Sequence, residues 1–385
     1  MEENFNMVAK TLFGFEDLLA KELTQLGAQD VKTGVRNVSF SGDKGFMYKA
    51  NLALRTAIKI LKPIETFMVS SEQDLYNKLY AMSWEQYVKP TGTIAVDATI
   101  HTELFTNSLY IAQKTKDAIV DKFRDTTGER PNVDLKFPDL KVNVHIDRNQ
   151  CTISLDSSGD SLHKRGYKIA TNIAPINEVL AAGLVMLSGW DGQTDFMDPM
   201  CGSGTVLIEA AMIACNIPPN LMRKEFAFER WQDWDVDLFE KIEASLLNKT
   251  RDFHHKIIGY DKAPSAVAKA KDNIKNAQLE DFIEVKHEDF FKTKKGGDNK
   301  LHMVFNPPYG ERLNIDMQEF YKNIGDTLKQ NYPNTDAWFI TSNLDALKHV
   351  GLRPSRKIHL FNAKLEARLV KFEMYAGSKK GKYMN

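Results

Sequence analysis

Asp198-Pro199-Met200-Cys201-Gly202-Ser203-Gly204-Thr205 is the stretch whose reading decides the fold. An apolar run at 194–197 enters it and a helical pattern at 205–215 leaves it, so it is a glycine turn between a strand and a helix. Beyond it, strands are expected at 256–260, 282–286, 301–305, 337–341, 357–361 and 365–375, with helices at 264–278 and 317–331. This alternation predicts an α/β fold, a doubly wound and mostly parallel sheet with its ligand crevice at the strand C-terminal ends.

Upstream the texture is mixed. Residues 15–26 carry helical apolar spacing, with Gly27 placed to stop the helix. Residues 35–40 alternate like a half-buried strand and 51–61 read as a helix. Strands at 93–100, 141–146 and 152–155 surround a helix at 108–125, which predicts α+β subdomains. A domain junction is expected after the turn formers Asp156-Ser157-Ser158-Gly159-Asp160-Ser161, where the basic, aromatic run His163-Lys164-Arg165-Gly166-Tyr167-Lys168 follows.

Composition narrows the class. The 385 residues hold 51 basic and 51 acidic side chains, which excludes a globally basic nucleic-acid binder but not a local basic face. Three cysteines (Cys151, Cys201, Cys215) without a Cys-x-x-Cys pair argue against a disulfide framework and a cysteine metal site. No apolar run reaches the ~18–20 residues of a membrane span. The start of the chain lacks a basic region before an apolar core. The expectation is a soluble, cytoplasmic protein with no metal and no membrane partner; oligomeric state is left open.

The glycine turn selects its ligand by exclusion. No Gly-Lys-Ser/Thr follows it, so it is not a nucleoside-triphosphate loop. The third position of a dinucleotide fingerprint, normally Gly or Ala, is Leu207, which would crowd that motif. A ligand without a pyrophosphate fits better, and S-adenosylmethionine is such a ligand. Asp198, Pro199, Cys201, Gly202, Ser203, Gly204 and Thr205 are then candidate cofactor contacts. Asp261, at the end of the next strand, is placed to accept from the ribose hydroxyls, and Asp289, after the third, from the adenine amine; helix or turn capping is the alternative for both. The long spacing to Asp261 is read as an insertion at about 216–251, rich in Phe226, Phe228, Trp231 and Trp234.

Asn306-Pro307-Pro308-Tyr309 follows the apolar strand at 301–305. A residue before proline is pushed to extended geometry, so Asn306 should continue into the crevice. The lone pair of an exocyclic base amine is delocalised into its ring. Two acceptors, the Asn306 side-chain oxygen and the Pro307 carbonyl, can bind its hydrogens and favour a pyramidal nitrogen. Tyr309 offers a face on which a flipped base can stack. Asn306 therefore stands in both the cofactor and the catalytic sets, the latter completed by Pro307, Pro308 and Tyr309. The alternative is two prolines that merely end a strand.

With these motifs in order, the sequence resembles the THUMP-domain RNA methyltransferases, especially the guanine-N2 branch similar to the N-terminal half of bacterial large-subunit rRNA methyltransferase L. The resemblance is carried by 156–167, Ala174-Pro175-Ile176-Asn177-Glu178, 198–205, Phe226-Ala227-Phe228-Glu229-Arg230-Trp231 and 306–312. It implies a ferredoxin-like segment at 1–65, a THUMP module at 66–157 that docks structured RNA, a linker at 158–170 and a Rossmann-like class I methyltransferase domain at 171–385. It also implies a guanine-N2 methyl transfer, with 23S rRNA as the expected substrate. A tRNA substrate, an adenine-N6 amine and a non-catalytic ribosome-assembly factor are the alternatives. The sequence carries no counterpart of the second methyltransferase of longer relatives, which leaves any second modification open. Lys164, Arg165 and Lys168 beside Tyr167 are the candidate RNA contacts, against an exposed linker without a partner.

Overall fold

The computed structural model describes residues 3–170, 175–308 and 316–375. The chain divides into two compact units: Met1–Thr11, Ala20–Leu162 and Arg223–Ser245 form one, and Leu12–Leu19, His163–Met222 and Leu246–Asn385 the other.

In chain order the first unit is built from β1 (Phe5–Thr11), most of α1 (Glu16–Leu26), β2 (Gln29–Gly34), β3 (Asn37–Gly42), α2 (Lys44–Ala53), β4 (Ala57–Met68), α3 (Glu72–Ala81), β5 (Thr93–His101), α4 (Ser108–Thr127), β6 (Asn132–Val133), β7 (Leu140–Asp147) and β8 (Gln150–Asp156). Its strands form one eight-stranded sheet of order β2-β3-β1-β4-β8-β7-β5-β6. The pairs are antiparallel except β5 with β6 and β7. β4 pairs with β1 on one side and β8 on the other, so the border expected at 65/66 falls inside a strand.

The helix expected at 51–61 is corrected here. Asp43 caps α2 early, accepting from Phe46 N at 2.7 Å. The chain leaves the helix at Leu54, because Arg55 N and Thr56 N donate to the buried Glu22 carboxylate at 2.8 and 3.0 Å. Ala57 onward is a strand, where the branched side chains of Ile58, Ile60 and Ile64 suit a pleated surface. β1, β2 and α3 had no local pattern that the sequence reading caught.

The turn formers after β8 are not a solvated junction. Asp156, Ser157 and Ser158 are completely buried. Asp156 Oδ1 accepts from Ser158 N and Gly159 N, both at 3.1 Å, and its carboxylate meets Lys59 Nζ at 2.6 Å. Ser158 Oγ donates to Asn51 Oδ1 at 2.6 Å and accepts from Ile60 N at 2.9 Å. The expected linker at 158–170 is thereby split, with 158–162 in the first unit and the rest in the second.

The aromatic insertion also belongs to the first unit through Arg223–Ser245. Tyr48 of α2 meets Phe228 at 4.5 Å between ring centroids, Trp234 at 5.2 Å and Phe239 at 5.9 Å. Phe226 stacks on Phe228 at 5.1 Å. Lys44 Nζ donates to Asp233 O at 2.9 Å and Arg230 to Phe137 O at 2.5 Å, so polar bonds tie down both sides of the apolar cluster.

The second unit adds α5 (Glu178–Ser188), β9 (Asp195–Asp198), α6 (Thr205–Ala214), α7 (Val236–Leu247), which crosses the unit border, β10 (Ile257–Asp261), α8 (Pro264–Asn276), β11 (Ile283–His287), β12 (Leu301–Phe305), α9 (Met317–Asn331), β13 (Thr335–Thr341), β14 (Arg356–Asn362) and β15 (Leu365–Met374). Its seven-stranded sheet has the order β11-β10-β9-β12-β13-β15-β14, and only β15 runs antiparallel to its neighbours. The chain runs outward from β9 to β10 and β11, then restarts on the other side with β12. β9 is therefore the switch point at which an α/β sheet opens its crevice. Phe305, Phe339 and Phe372 share one apolar core with Phe320, Ile324 and Leu328 of α9.

Phe228 is fully buried at the centre of the aromatic cluster. Phe228→Ala should cost about 3–5 kcal/mol of stability, read as a lower urea midpoint for the first unit. An unchanged midpoint would mean that the insertion only rests on that unit.

Candidate active site

Three strand ends converge at the switch point. Asp198 ends β9, Asp261 ends β10 and Asn306 follows β12, while β9 pairs with both β10 and β12. The turn after β9 is fixed by its neighbour strand: Gly202 N donates to Asp261 Oδ2 at 3.0 Å and Cys201 N to Tyr260 O at 2.8 Å. Gly204 closes the turn on Cys201 O at 2.8 Å and begins α6 with φ of 81°, a left-handed backbone that glycine adopts without strain.

Leu207 is accommodated from the opposite side. A Cβ on Gly259 would stand 2.4 Å from Leu207 Cδ1 and 3.1 Å from Cys201 Sγ. The helix–strand closeness that a dinucleotide fingerprint obtains with a small helical residue is obtained here with a glycine on β10. Cys201 is buried against it, and burial pushes its thiol well above the ordinary value, which disfavours the reactive thiolate.

Ser203 is buried, and its carbonyl accepts from Asn273 Nδ2 at 3.0 Å. The same Asn273 side chain accepts from Ile169 N and Ala170 N at 2.9 and 3.0 Å, tying the segment before α5 to the glycine turn. Sequence reasoning missed this residue, since a helical asparagine carries no local signal. Pro199 and Thr205 are buried, and Thr205 Oγ1 has no hydrogen-bond partner among the described residues.

Asp261 Oδ1 also accepts from Ala263 N at 2.9 Å, so its carboxylate both holds the turn and caps the approach to α8. A carboxylate has about four lone-pair positions, so acceptor capacity remains. Asp289 Oδ1 accepts from Phe291 N at 3.2 Å, which is the turn-capping arrangement. Asp198 Oδ1 accepts from Met200 N at 3.0 Å. Burial pushes the Asp198 carboxyl up to about 8, the Met200 hydrogen bond working against that and the Asp261 charge adding to it.

Asn306 stands at the mouth of β12 with its side-chain oxygen buried and no partner for it among the described residues. Pro307 is buried and Pro308 half-buried. Tyr309 lies outside the described residues.

The basic run is a different matter. Arg165 and Tyr167 are buried in the second unit, each about 1% exposed. Arg165 Nε lies 3.5 Å from Glu209 Oε1 on α6, its Nη1 donates to Asn220 Oδ1 at 3.1 Å, and Tyr167 OH donates to Glu209 at 3.0 Å. Lys168 is paired with Glu178 at 3.0 Å. Arg165 and Tyr167 therefore do not contact RNA: a buried carboxylate takes their polar atoms. Of the four expected RNA contacts only Lys164 is exposed. Among the described residues there is no group of side chains that could hold a metal ion, and no helix is long and apolar enough to cross a membrane.

Residues 165–371 match the model of the RMKL-like methyltransferase domain. The chain belongs to this methyltransferase family. Residues 69–156 match the THUMP domain and 6–61 the RlmL ferredoxin-like domain. A Synechocystis protein named as an RNA methyltransferase, slr0064, is 35% identical over 94% of this chain and 95% of its own length. The ribosomal RNA large subunit methyltransferase K/L of Syntrophotalea carbinolica is 36% identical over 94% of this chain, which spans 52% of that protein. The crystal structure of SMU.472, described as a methyltransferase in complex with SAH, superposes with a TM-score of 0.87 at 30% identity, covering 98% of this chain and all of that one. The methyltransferase unit thus has the fold of a relative solved with a spent methyl donor.

Two measurements probe these buried charges. The Asp198 carboxyl holds its proton in the folded chain up to about pH 8, whereas the unfolded chain releases it near the ordinary value of 3.8. Its contribution therefore favours folding at low pH and is lost as pH rises between those values. Melting temperature measured from about pH 5 to about pH 9 should fall less for Asp198→Asn than for the wild type; parallel curves would refute it. Separately, Arg165→Ala leaves the Glu209 carboxylate without its cation, and should cost about 3–5 kcal/mol in urea denaturation.

Proposed function

We propose that the chain is an S-adenosylmethionine-dependent RNA methyltransferase that modifies the exocyclic N2 amine of a guanine in 23S rRNA. The observation that carries the reading is the buried Asn306 oxygen, without a partner among the described residues, at the switch point beside the glycine turn. A buried acceptor without a donor costs stability, and an incoming amine removes that cost. The RNA substrate is supported by the THUMP match and by the relatives named for RNA and ribosomal RNA.

The turn residues Asp198, Pro199, Cys201, Gly202, Ser203, Gly204 and Thr205, together with Asp261 and Asp289, would hold the methyl donor. The donor fits the site because the turn carries no side chain at Gly202, and Asp261 keeps acceptor positions open. When bound it supplies an electrophilic methyl on a sulfonium, with a neutral thioether as leaving group. Asn306 Oδ1 and the Pro307 carbonyl accept the two amine hydrogens and turn the nitrogen lone pair toward the donor. Tyr309, outside the described residues, is the stacking face that the sequence offers for the base.

In this reading 1–65 and 66–157 are the ferredoxin-like and THUMP parts of an RNA-docking region, and 171–385 is the catalytic domain. Asn306→Ala should slow single-turnover methyl transfer by about 10²-fold or more, because alignment of the amine is lost. Cofactor affinity in calorimetry should stay near wild type. Mass analysis of nucleosides from a deletion strain should show loss of N2-methylguanosine from large-subunit rRNA. Loss from tRNA, or loss of N6-methyladenosine instead, would overturn the substrate assignment.

A further inference from the structure

The orphaned oxygen of Asn306 has a counterpart on the neighbouring strand. β12 and β13 run parallel, and their last registered pair is Phe305 with Phe339. Continued by one residue, the register sets Asn306 level with Ile340, and Ser342 stands two residues further on. Side chains alternate along a strand. Met303, Phe305, Ala337 and Phe339 share the face packed with Phe320 and Ile324 of α9. Ile340 therefore belongs to the opposite face, and the same alternation continued one residue past each strand end puts Asn306 and Ser342 there too, at the crevice end of the sheet.

Ser342 Oγ is buried and, among the described residues, has no hydrogen-bond partner, like the Asn306 oxygen beside it. The turn around it is complete without it. Thr341 Oγ1 bonds Tyr321 OH at 2.6 Å and accepts from Asn343 N at 3.0 Å, and Asn343 Oδ1 accepts from Ala346 N at 2.9 Å. The neighbouring Thr341 and Asn343 side chains thus have structural bonds, whereas Ser342 Oγ has none among the described residues. One strand spacing and two residue rises separate Asn306 from Ser342, about 8 Å between Cα atoms, so the two side chains bracket the edge of one flat base.

We infer that Ser342 holds the target base beside its reacting amine, its Oγ accepting the ring N1–H of the guanine whose N2 amine sits on Asn306. The inference rests on the proposed function. A base donates its N1–H and N2 hydrogens along one edge, so two acceptors on one face of adjacent strands read that edge as a unit. Among the described residues neither oxygen has another donor, and the base relieves both.

The test uses the full chain, tritiated S-adenosylmethionine and protein-free ribosomal RNA from a strain lacking the gene. Ser342→Ala should lower kcat/KM for RNA about tenfold, chiefly through KM, with cofactor affinity unchanged. Its melting temperature should equal or exceed that of the wild type, because an unpartnered buried hydroxyl has been removed. Ser342→Thr, which keeps the hydroxyl, should recover most of the loss. Wild-type kcat/KM in Ser342→Ala overturns the inference. So does a lowered melting temperature with a matching loss of activity, which marks a merely structural serine. Asn306→Ala run in parallel separates the two readings: wild-type rates in that variant would remove the proposed amine site itself, whatever Ser342 does.

Discussion

The hydrogen bond from Gly202 N to the Asp261 carboxylate is the constraint on which the crevice depends. It joins the turn after β9 to the end of β10, and the Cys201 N–H to Tyr260 O bond runs beside it. Two strands that end side by side thereby deliver their loops in one fixed arrangement. The absent side chain of Gly259 lets Leu207 of α6 pack closely against β10. Asp198 pays for this closeness: locked beside a second carboxylate and out of water, it keeps its proton near neutral pH.

Buried polar groups do similar work elsewhere. Glu22 accepts the backbone of Arg55 and Thr56 and ends α2, and burial raises its carboxyl above the ordinary value. Asp156, Ser157 and Ser158 close the first sheet around Lys59, Asn51 and Ile60. Glu209 gathers Arg165 and Tyr167 beneath α6. In each case a buried carboxylate or hydroxyl is held by named donors, which lowers the cost of placing it out of water. Among the described residues the oxygens of Asn306, Ser342 and Thr205 lack such partners; Asn306 follows β12, the neighbour of the switch-point strand, and Ser342 follows β13 beside it.

Much of the second sheet was legible from local pattern. The strand at 301–305 and the helix at 317–331 have the bounds that periodicity predicts, and the turn at 198–205 lies between β9 and α6. These elements announce themselves because each is short, apolar in a definite period and stopped by proline, glycine or a capping aspartate. The helix expected at 51–61 failed because apolar spacing in Ala57-Ile58-Lys59-Ile60-Leu61 fits either period, and the choice was made by pairing with β1 and β8. α5, apolar nearly all round, gave no amphipathic signal because it is buried on every side.

The sequence by itself determined the order of strands and helices in the second unit, the glycine turn, the asparagine before two prolines and the acids that end the strands. These follow from backbone preferences that act over a few residues. Only the tertiary structure decided which polar residues face water. Arg165 and Glu209 are 44 positions apart, and a basic run looks solvent-facing until a distant carboxylate is packed against it. The aromatic insertion was assigned by the ring of Tyr48, far earlier in the chain. Ser342 drew no notice in the sequence, because a lone serine acquires meaning only once its surroundings are known, and among the described residues its hydroxyl has no partner. Period and propensity fix where a side chain points on its own element; what covers it depends on contacts between segments that no local pattern encodes.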